Sequence, residues 1–444
     1  MAGVNRINHK IWGIAWPAIL SNISIPLLGL VDAAILGHLG STQYLGAVAV
    51  GGALLSFLYW GFGFLRMGTT GLVAKAMGAG NEQEATLVLA QSCLLAVALA
   101  ITVIVLNPLW LSLGFALMSA QPGITSLADS YATIRIFSAP AVLVTYAIVG
   151  WFIGRQNTRW PMVIVVLTNI LNIALDFLFI IELQMFSDGA AIATVIAEYA
   201  GCALALYAVW RSLPARPDSV FYLKLKRWRA YQRLLRSNRD LFVRTIFLLF
   251  SFAFFTAMGD KFGSDTLAAN TLMMQLVMMA AYAMDGFAFA AEALSGTRLG
   301  ARDLPGFYQA VRYCSFWSTA SAGVMSISFL LLHPLLFLLM TDIAQVRMLL
   351  DEYVFWLVLL PLVAAPSYLL DGVFIGSAET RYMMYTMLFS VLVVYLPLWF
   401  LTRSLGNHGL WFAFCAFNGT RGISLYLCFI QISRRGHWLG EEKI

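Results

Sequence analysis

Charge is what this 444-residue chain has least of. Asp, Glu, Lys and Arg together make up 11% of it, against 60% apolar residues and a mean hydropathy of +0.79. An ordinary soluble domain carries about 25% charged residues, so a water-soluble globule of this size would lack an ionic surface. The same shortage excludes a disordered chain and, despite a net charge of +6 and a pI near 9.1, a nucleic-acid-binding protein. Cysteine is sparse as well. Cys93, Cys202, Cys314, Cys415 and Cys428 are scattered through apolar stretches without pairing or metal-ligand spacing, which excludes a disulfide scaffold. The five histidines (His9, His38, His333, His408, His437) stand at the ends of apolar runs with no metal spacing, which argues against a metal enzyme. No G-x-x-x-x-G-K-[ST] loop is present to power transport by ATP. No run alternates apolar and polar residues as a membrane β-barrel strand does.

What remains is an all-α integral membrane protein. A spanning helix needs about 20 apolar residues, and twelve runs qualify: 11–37, 45–76, 86–107, 128–154, 160–182, 189–211, 241–260, 267–296, 310–332, 353–376, 382–402 and 408–432. Met1 to Lys10 is short and polar, and the run after it is too long for a cleavable signal, so that first span is expected to be retained. With the N-terminus inside, 21 of the 28 basic residues fall on the inner side, three (Lys261, Arg347, Arg403) fall outside and four lie within spans. That bias places both termini in the cytoplasm by the positive-inside rule, and a bacterial inner membrane fits. The loop 211–239 supplies nine of the inner basic residues, and its stretch from Lys224 to Arg233 reads as an amphipathic segment lying on anionic lipid. The expected organisation is therefore an N-terminal lobe over 1–211, a basic cytoplasmic linker over 212–239 and a C-terminal lobe over 240–444.

The two halves resemble each other. Gly40-Ser41 precedes the second span as Gly263-Ser264 precedes the eighth, Gly78-Ala79 corresponds to Gly300-Ala301, and Gly154-Arg-Gln-Asn-Thr-Arg159 corresponds to Gly376-Ser-Ala-Glu-Thr-Arg381. Six spans separate the copies, so both enter the membrane from the same side. Two six-helix lobes related by a pseudo-twofold along the membrane normal, with substrate between them, are the expected architecture. Such repeats point to a transporter.

An ionisable residue inside a bilayer is costly and marks a functional hypothesis. Asp32 lies six residues before His38, Asp176 six before Glu182, and Thr194 six after Asp188, which sets the three at one depth in the outer half of the membrane. Asn172 shares a helix face with Asp176. Two carboxylates, an amide and a hydroxyl at one level form a hard-oxygen site for H⁺ or Na⁺. Ionising both acids together is costly through repulsion and desolvation, which suits a proton carrier. The alternative is a set of unrelated polar residues hydrogen-bonded within a bundle. The repeat offsets carry Asp32 onto Phe255 and Asp176 onto Leu398, so the acid pair exists in one half alone, which favours chemistry over scaffold. In the second half, Asp285, Glu292 and Asp371 either form a second cation or substrate site or pair with Arg66, Arg244 or Arg421 as structural ion pairs. Glu198, one turn after Thr194, is either a relay or a buried hydrogen-bonding group. Pro17 and Pro26 interrupt the hydrogen bonding of the first helix and are hinge candidates, with static kinks as the alternative. Met273, Met274, Met278, Met279 and Met284 would suit an adaptable substrate wall, or else packed and lipid-facing positions.

Several of these segments are similar to one family. Pro17 through Gly37 with its Asp32, Phe64-Leu-Arg-Met-Gly-Thr-Thr-Gly71, Gly78-Ala-Gly-Asn81, Phe137-Ser-Ala-Pro140, Asn169 through Asp176, Gly189 through Thr194 and Asp285-Gly-Phe-Ala resemble the multidrug and toxic compound extrusion (MATE) transporters, in their DinF-like branch. The likeness covers essentially the whole chain. It implies two six-helix lobes forming a V around a central cavity, and antiport of amphipathic, often cationic drugs or dyes against H⁺ or Na⁺, without a cofactor. It also implies that Asp32, Asn172, Asp176 and Thr194 form the cation site with Tyr131 nearby, and that the first helix bends at Pro17. The NorM branch places more of this chemistry in C-lobe acids, which Asp371 leaves open. A lipid-linked precursor flippase of related architecture is the competing reading, and it would need a strongly cationic cavity where this chain has four in-span arginines and an acidic best site. The fold needs no partner chain, so a monomer in membrane lipid is expected.

Overall fold

In the computed structural model, residues 2–37, 42–118, 122–213 and 219–439 are described. His38, Gly40, Ser41, Arg216 and Lys443, used above in the depth, repeat and charge arguments, lie outside them. Among the described residues there is no strand, and twelve helices are long and apolar enough to cross a membrane. They are α1 (Asn5–Gly37), α2 (Gln43–Gly78), α3 (Glu82–Val105), α4 (Ile124–Gly154), α5 (Arg159–Glu182), α6 (Phe186–Ser212), α7 (Trp228–Asp260), α8 (Ser264–Gly300), α9 (Leu304–Met340), α10 (Ala344–Gly376), α11 (Thr380–Leu405) and α12 (Asn407–Arg435). In hydrocarbon each backbone N–H and C=O needs a partner within the chain, and a helix supplies it locally. All twelve apolar runs became helices for that reason.

Several helices outrun their apolar stretch. α8 and α9 have 37 residues each, about 55 Å at ~1.5 Å per residue against a hydrocarbon layer of roughly 30 Å. α7 begins at Trp228, so part of the basic segment is helical and continuous with a span, while Ser219–Lys226 forms a separate short helix. α1 is helical without interruption through Pro17 and Pro26. Irregularity appears elsewhere. α2 breaks at Phe62–Gly63, α4 passes through a 3₁₀ turn at Ile136–Ser138, and α5 and α11 widen into π-helical turns over Phe177–Glu182 and Ser390–Tyr395.

The internal repeat is written in the turns. Positive φ angles recur at Gly80 and Arg302, at Gln156 and Ala378, and at Gln184 and Gly406, each pair 222 residues apart. The helix that follows the first of these pairs is capped the same way in both halves. Asn81 accepts a hydrogen bond from the Glu84 N–H at 2.9 Å, and Asp303 accepts one from the Gly306 N–H at 2.9 Å.

The chain divides into two compact units, one of residues 20–73 and 81–235, the other of 1–19, 74–80 and 236–444. α1 thus changes unit between Ile19 and Leu20, just past the buried Pro17. In the second unit, the end of α2 crosses α8 closely and reciprocally. A Cβ on Gly78 would collide with the Thr297 carbonyl, and one on Gly300 with the Lys75 carbonyl. The core of this unit is an aromatic cluster in which Phe255 lies 4.8 Å from Trp411 and 5.0 Å from Phe414, centroid to centroid. Phe255, inside this cluster, and Leu398, packed against it, hold the repeat positions of the two aspartates, so both positions are apolar here.

Candidate functional site

In the first unit α1, α4, α5 and α6 bring polar side chains together. The carboxyl groups of Asp32 on α1 and Asp176 on α5 are within hydrogen-bonding reach of each other. Asp176 is fully buried and Asp32 half-buried. One oxygen of each, Asp32 Oδ1 and Asp176 Oδ1, is buried with no hydrogen-bond partner. Orphaned carboxylate oxygens of this kind are satisfied by a proton or a small cation.

Asn172, one turn before Asp176, ties the pair to α6. In the orientation that satisfies both ends of its amide, Nδ2 donates to Asp176 Oδ2 at 3.2 Å while Oδ1 accepts from the Thr194 backbone N–H at 3.2 Å. The Thr194 hydroxyl donates to the Ala190 carbonyl at 2.9 Å. The structure therefore places Asp32, Asn172, Asp176 and Thr194 side by side, on the three helices that their depth arithmetic requires. Tyr131 on α4 is buried within electrostatic range of both aspartates. It packs on α2, where a Cβ on Gly51 would come within 2.8 Å of its Cδ1.

One residue close to this group stood out in the sequence only as one of four in-span arginines. Arg135 Nη1 donates to the Tyr131 hydroxyl at 3.0 Å, one helical turn back, and the guanidinium acts electrostatically on Asp32, Asp176 and Glu198. The signal that could have found it is its spacing of four from Tyr131, inside a run too apolar to carry a stray charge. Glu198 on α6 is thereby connected to the aspartate pair through Arg135.

The acids of the second half are arranged differently. Asp371 on α10 is clamped between two arginines, with Oδ2 accepting from Arg244 Nη2 of α7 and from Arg421 Nη2 of α12, the latter at 2.8 Å. Arg421 also donates to Asn418 Oδ1 at 3.2 Å and is 2% exposed. Of the two readings open for Asp371, the ion pair is the one formed. Asp285 acts electrostatically on Tyr282 and Tyr368, and Glu292 is buried. Of the five clustered methionines, Met273 and Met284 are buried and Met274 and Met278 pack on the core, whereas Met279 is exposed. Met278, Met284, Tyr368 and Asn418 line a cavity of about 10 Å³, room for about one water.

The MatE family matches this chain twice, over residues 17–178 and 241–401, one stretch in each half. This chain belongs to the MatE family. It is 40% identical to DNA damage-inducible protein F of Escherichia coli over 99% of this chain and 95% of that one. It is also 28% identical to the chloroplastic Protein DETOXIFICATION 44 of Arabidopsis thaliana, over 92% of this chain and 80% of the relative. A solved structure of a mutant Vibrio cholerae MATE transporter, VcmN, superposes with a TM-score of 0.88 at 21% identity, covering 99% of this chain and all of that one. The fold is therefore that of the MATE transporters, twelve helices in two six-helix lobes, and a MatE protein is a membrane transporter of small molecules rather than an enzyme. The two family matches cover the same two halves that the turns relate.

Proposed function

We propose that this MatE protein is a secondary multidrug efflux antiporter of a bacterial inner membrane, with both termini cytoplasmic. It exports amphipathic, often cationic compounds in exchange for H⁺. The relative at 40% identity across the whole chain and more distant ones named as multidrug resistance proteins, such as NorM of Geobacillus kaustophilus, support the substrate class. The bias of basic residues to one side supports the orientation.

The observation that carries the coupling is that Asp32 Oδ1 and Asp176 Oδ1 are both buried without a hydrogen-bond partner, in a site that Asn172 ties to α6. Two carboxyl groups buried side by side repel when both are ionised, so the pair takes up and gives off protons as a unit. In the cycle, protons arriving from outside neutralise the pair, α1 bends near Pro17 and the drug site loses its hold. Release of the proton to the cytoplasm restores it. Each inward charge gains about 2.3 kcal/mol per 100 mV of membrane potential, enough to sustain an uphill drug gradient.

The test is dye efflux from proteoliposomes under an imposed pH gradient. Wild type should transport, and Asp32→Asn and Asp176→Asn should each abolish pH-driven efflux while leaving the detergent-solubilised protein folded. Normal transport by Asp32→Asn would place the coupling elsewhere.

A further inference from the structure

Around the second of its prolines, α1 is short of hydrogen bonds of its own. Pro26 has no N–H, so the Asn22 carbonyl one turn earlier lacks its helical donor. The Ser24 hydroxyl donates to the Ser21 carbonyl at 2.7 Å, a side-chain bond that competes with the helix ladder and favours bending. The support comes from α5. Asn169 Nδ2 donates to the Ser24 carbonyl at 3.2 Å and to the Ser24 hydroxyl oxygen at 3.2 Å. A carbonyl oxygen only accepts, so the amide nitrogen is the atom that faces it. Asn169 thus bonds the backbone of another helix at a weakened turn. Both residues belong to the first unit.

The place of this bond relates it to the acids. Asp176 follows Asn169 by seven residues and Asp32 follows Ser24 by eight, about 10.5 and about 12 Å at ~1.5 Å per residue. The bond therefore fixes a register of α1 on α5 in which Asp32 is level with Asp176. The repeat offers a control. Its offsets carry Ser24 onto Phe247 and Asn169 onto Val391, which lie against and within the aromatic core of the second unit. The bond, like the acid pair, is confined to one half. The start of α1 is held separately, in the second unit. There Trp317 Nε1 donates to Asn8 Oδ1 at 3.1 Å, and the Trp12 ring stands 5.3 Å from that of Phe287 and 5.1 Å from that of Trp317.

We infer that Asn169 is the positioning residue that holds α1 straight along α5, and that its bond to Ser24 opens when α1 bends. It acts on the proton site through α1. With the first turns of the helix anchored in the second unit, a bend is taken up by the section from Leu20 onward, and that section stays against α5 as long as the Ser24 carbonyl is held. Proton uptake by the aspartates and the Asn169 bond then pull in opposite directions, protons favouring the bent form and the bond the straight one. The strength of the bond sets the proton concentration at which α1 moves. This rests on the antiport reading above and names the contact that sets its threshold.

The test reads the pH dependence of efflux and the position of α1. Initial rates of dye efflux are measured from proteoliposomes across a series of pH gradients. Asn169→Leu should reach half-maximal efflux at a proton concentration about three- to tenfold lower than wild type, the scale of one or two hydrogen bonds. A merely damaged protein would lose rate without responding to fewer protons. Asn169→Gln, which keeps a donating amide, should shift the half-maximum less. The position of α1 is measured by pulsed electron resonance between spin labels on Leu27→Cys in α1 and Leu183→Cys just past α5, both exposed positions, with the five native cysteines replaced by alanine. This labelled protein keeps Asn169 and serves even if the Asn169 variants fail to fold. Acidification should add a second distance to the one found at alkaline pH, and with Asn169→Leu the second distance should appear at a less acidic pH. A half-maximum in Asn169→Leu that is unmoved or shifted toward acid, or a label distance that does not change with pH, overturns the inference while Asp32→Asn remains inactive. Normal pH-driven transport by Asp32→Asn would instead overturn the antiport reading on which it rests.

Discussion

Asp176 and Asp371 are both buried aspartates on spanning helices, and their surroundings are opposite. Asp176 faces another carboxyl, an amide and, at longer range, one guanidinium, and one of its oxygens has no hydrogen bond. Asp371 gives one oxygen to two arginines at once. The first arrangement is short of positive charge and leaves a carboxylate oxygen free for a small cation or a proton. The second already has more positive than negative charge, and its carboxylate is the shared counter-ion of two buried guanidiniums. Burial of an acid in a membrane is therefore not sufficient to mark a coupling site. The charges around it decide whether it exchanges protons or holds helices together.

The largest expected effect follows from breaking the second site. Asp371→Asn should cost about 3–5 kcal/mol, the scale of removing one partner from a buried ion pair. The readout is a lowered melting temperature and poor recovery of monodisperse protein in detergent. Asp32→Asn should leave both unchanged. If Asp371→Asn were as stable as wild type yet inactive in transport, the contrast between the two aspartates would fail, and Asp371 would become a coupling residue.

Removing the second site as a whole should do less. Replacing Asp371 with Leu and both Arg244 and Arg421 with Met deletes three charges together, and such replacements are often neutral to within about 1–2 kcal/mol or even stabilising. The triple variant should regain most of the stability lost in Asp371→Asn and should still move dye along a pH gradient. A folded but inactive triple variant would mean that the arginines serve substrate binding and not only packing.

The fold was legible because hydropathy determines which segments leave water, and all twelve runs are helices long and apolar enough to cross a membrane. The depth of Asp32, Asp176 and Thr194 was legible because rise per residue is constant along a helix. Lateral relations were not. Nothing in the spacing of Asp371 reveals that Arg244, 127 positions away, and Arg421, 50 away, meet at one of its oxygens, since helix packing order decides that. Arg135 was overlooked because a single charge in an apolar run has no pattern, and its meaning depends on α1, α5 and α6 converging on α4. The prolines show another limit. Pro17 and Pro26 weaken α1, yet the helix is unbroken through both, and the change of unit falls between Ile19 and Leu20 instead of at a visible break. A missing hydrogen bond lowers the cost of bending without requiring a bend.

The smallest effect sharpens the first site. Asn172 touches Asp176 but carries no charge, so Asn172→Ala removes one donor to a carboxylate oxygen and one acceptor for the Thr194 N–H. Lost hydrogen bonds of this kind are worth about 1–3 kcal/mol when one partner is charged. That is of order a tenfold change in the proton concentration giving half-maximal efflux, with the maximal rate kept. Initial efflux rates measured across a series of pH gradients separate these outcomes. A proton is carried by the aspartates alone, and a variant lacking only their amide neighbour should still saturate. Sodium would need the Asn172 oxygen as a ligand. If Asn172→Ala is therefore as inactive as Asp32→Asn at every gradient, the amide belongs to the ion's coordination shell, and the distinction drawn between a proton pair and a metal-like cage gives way.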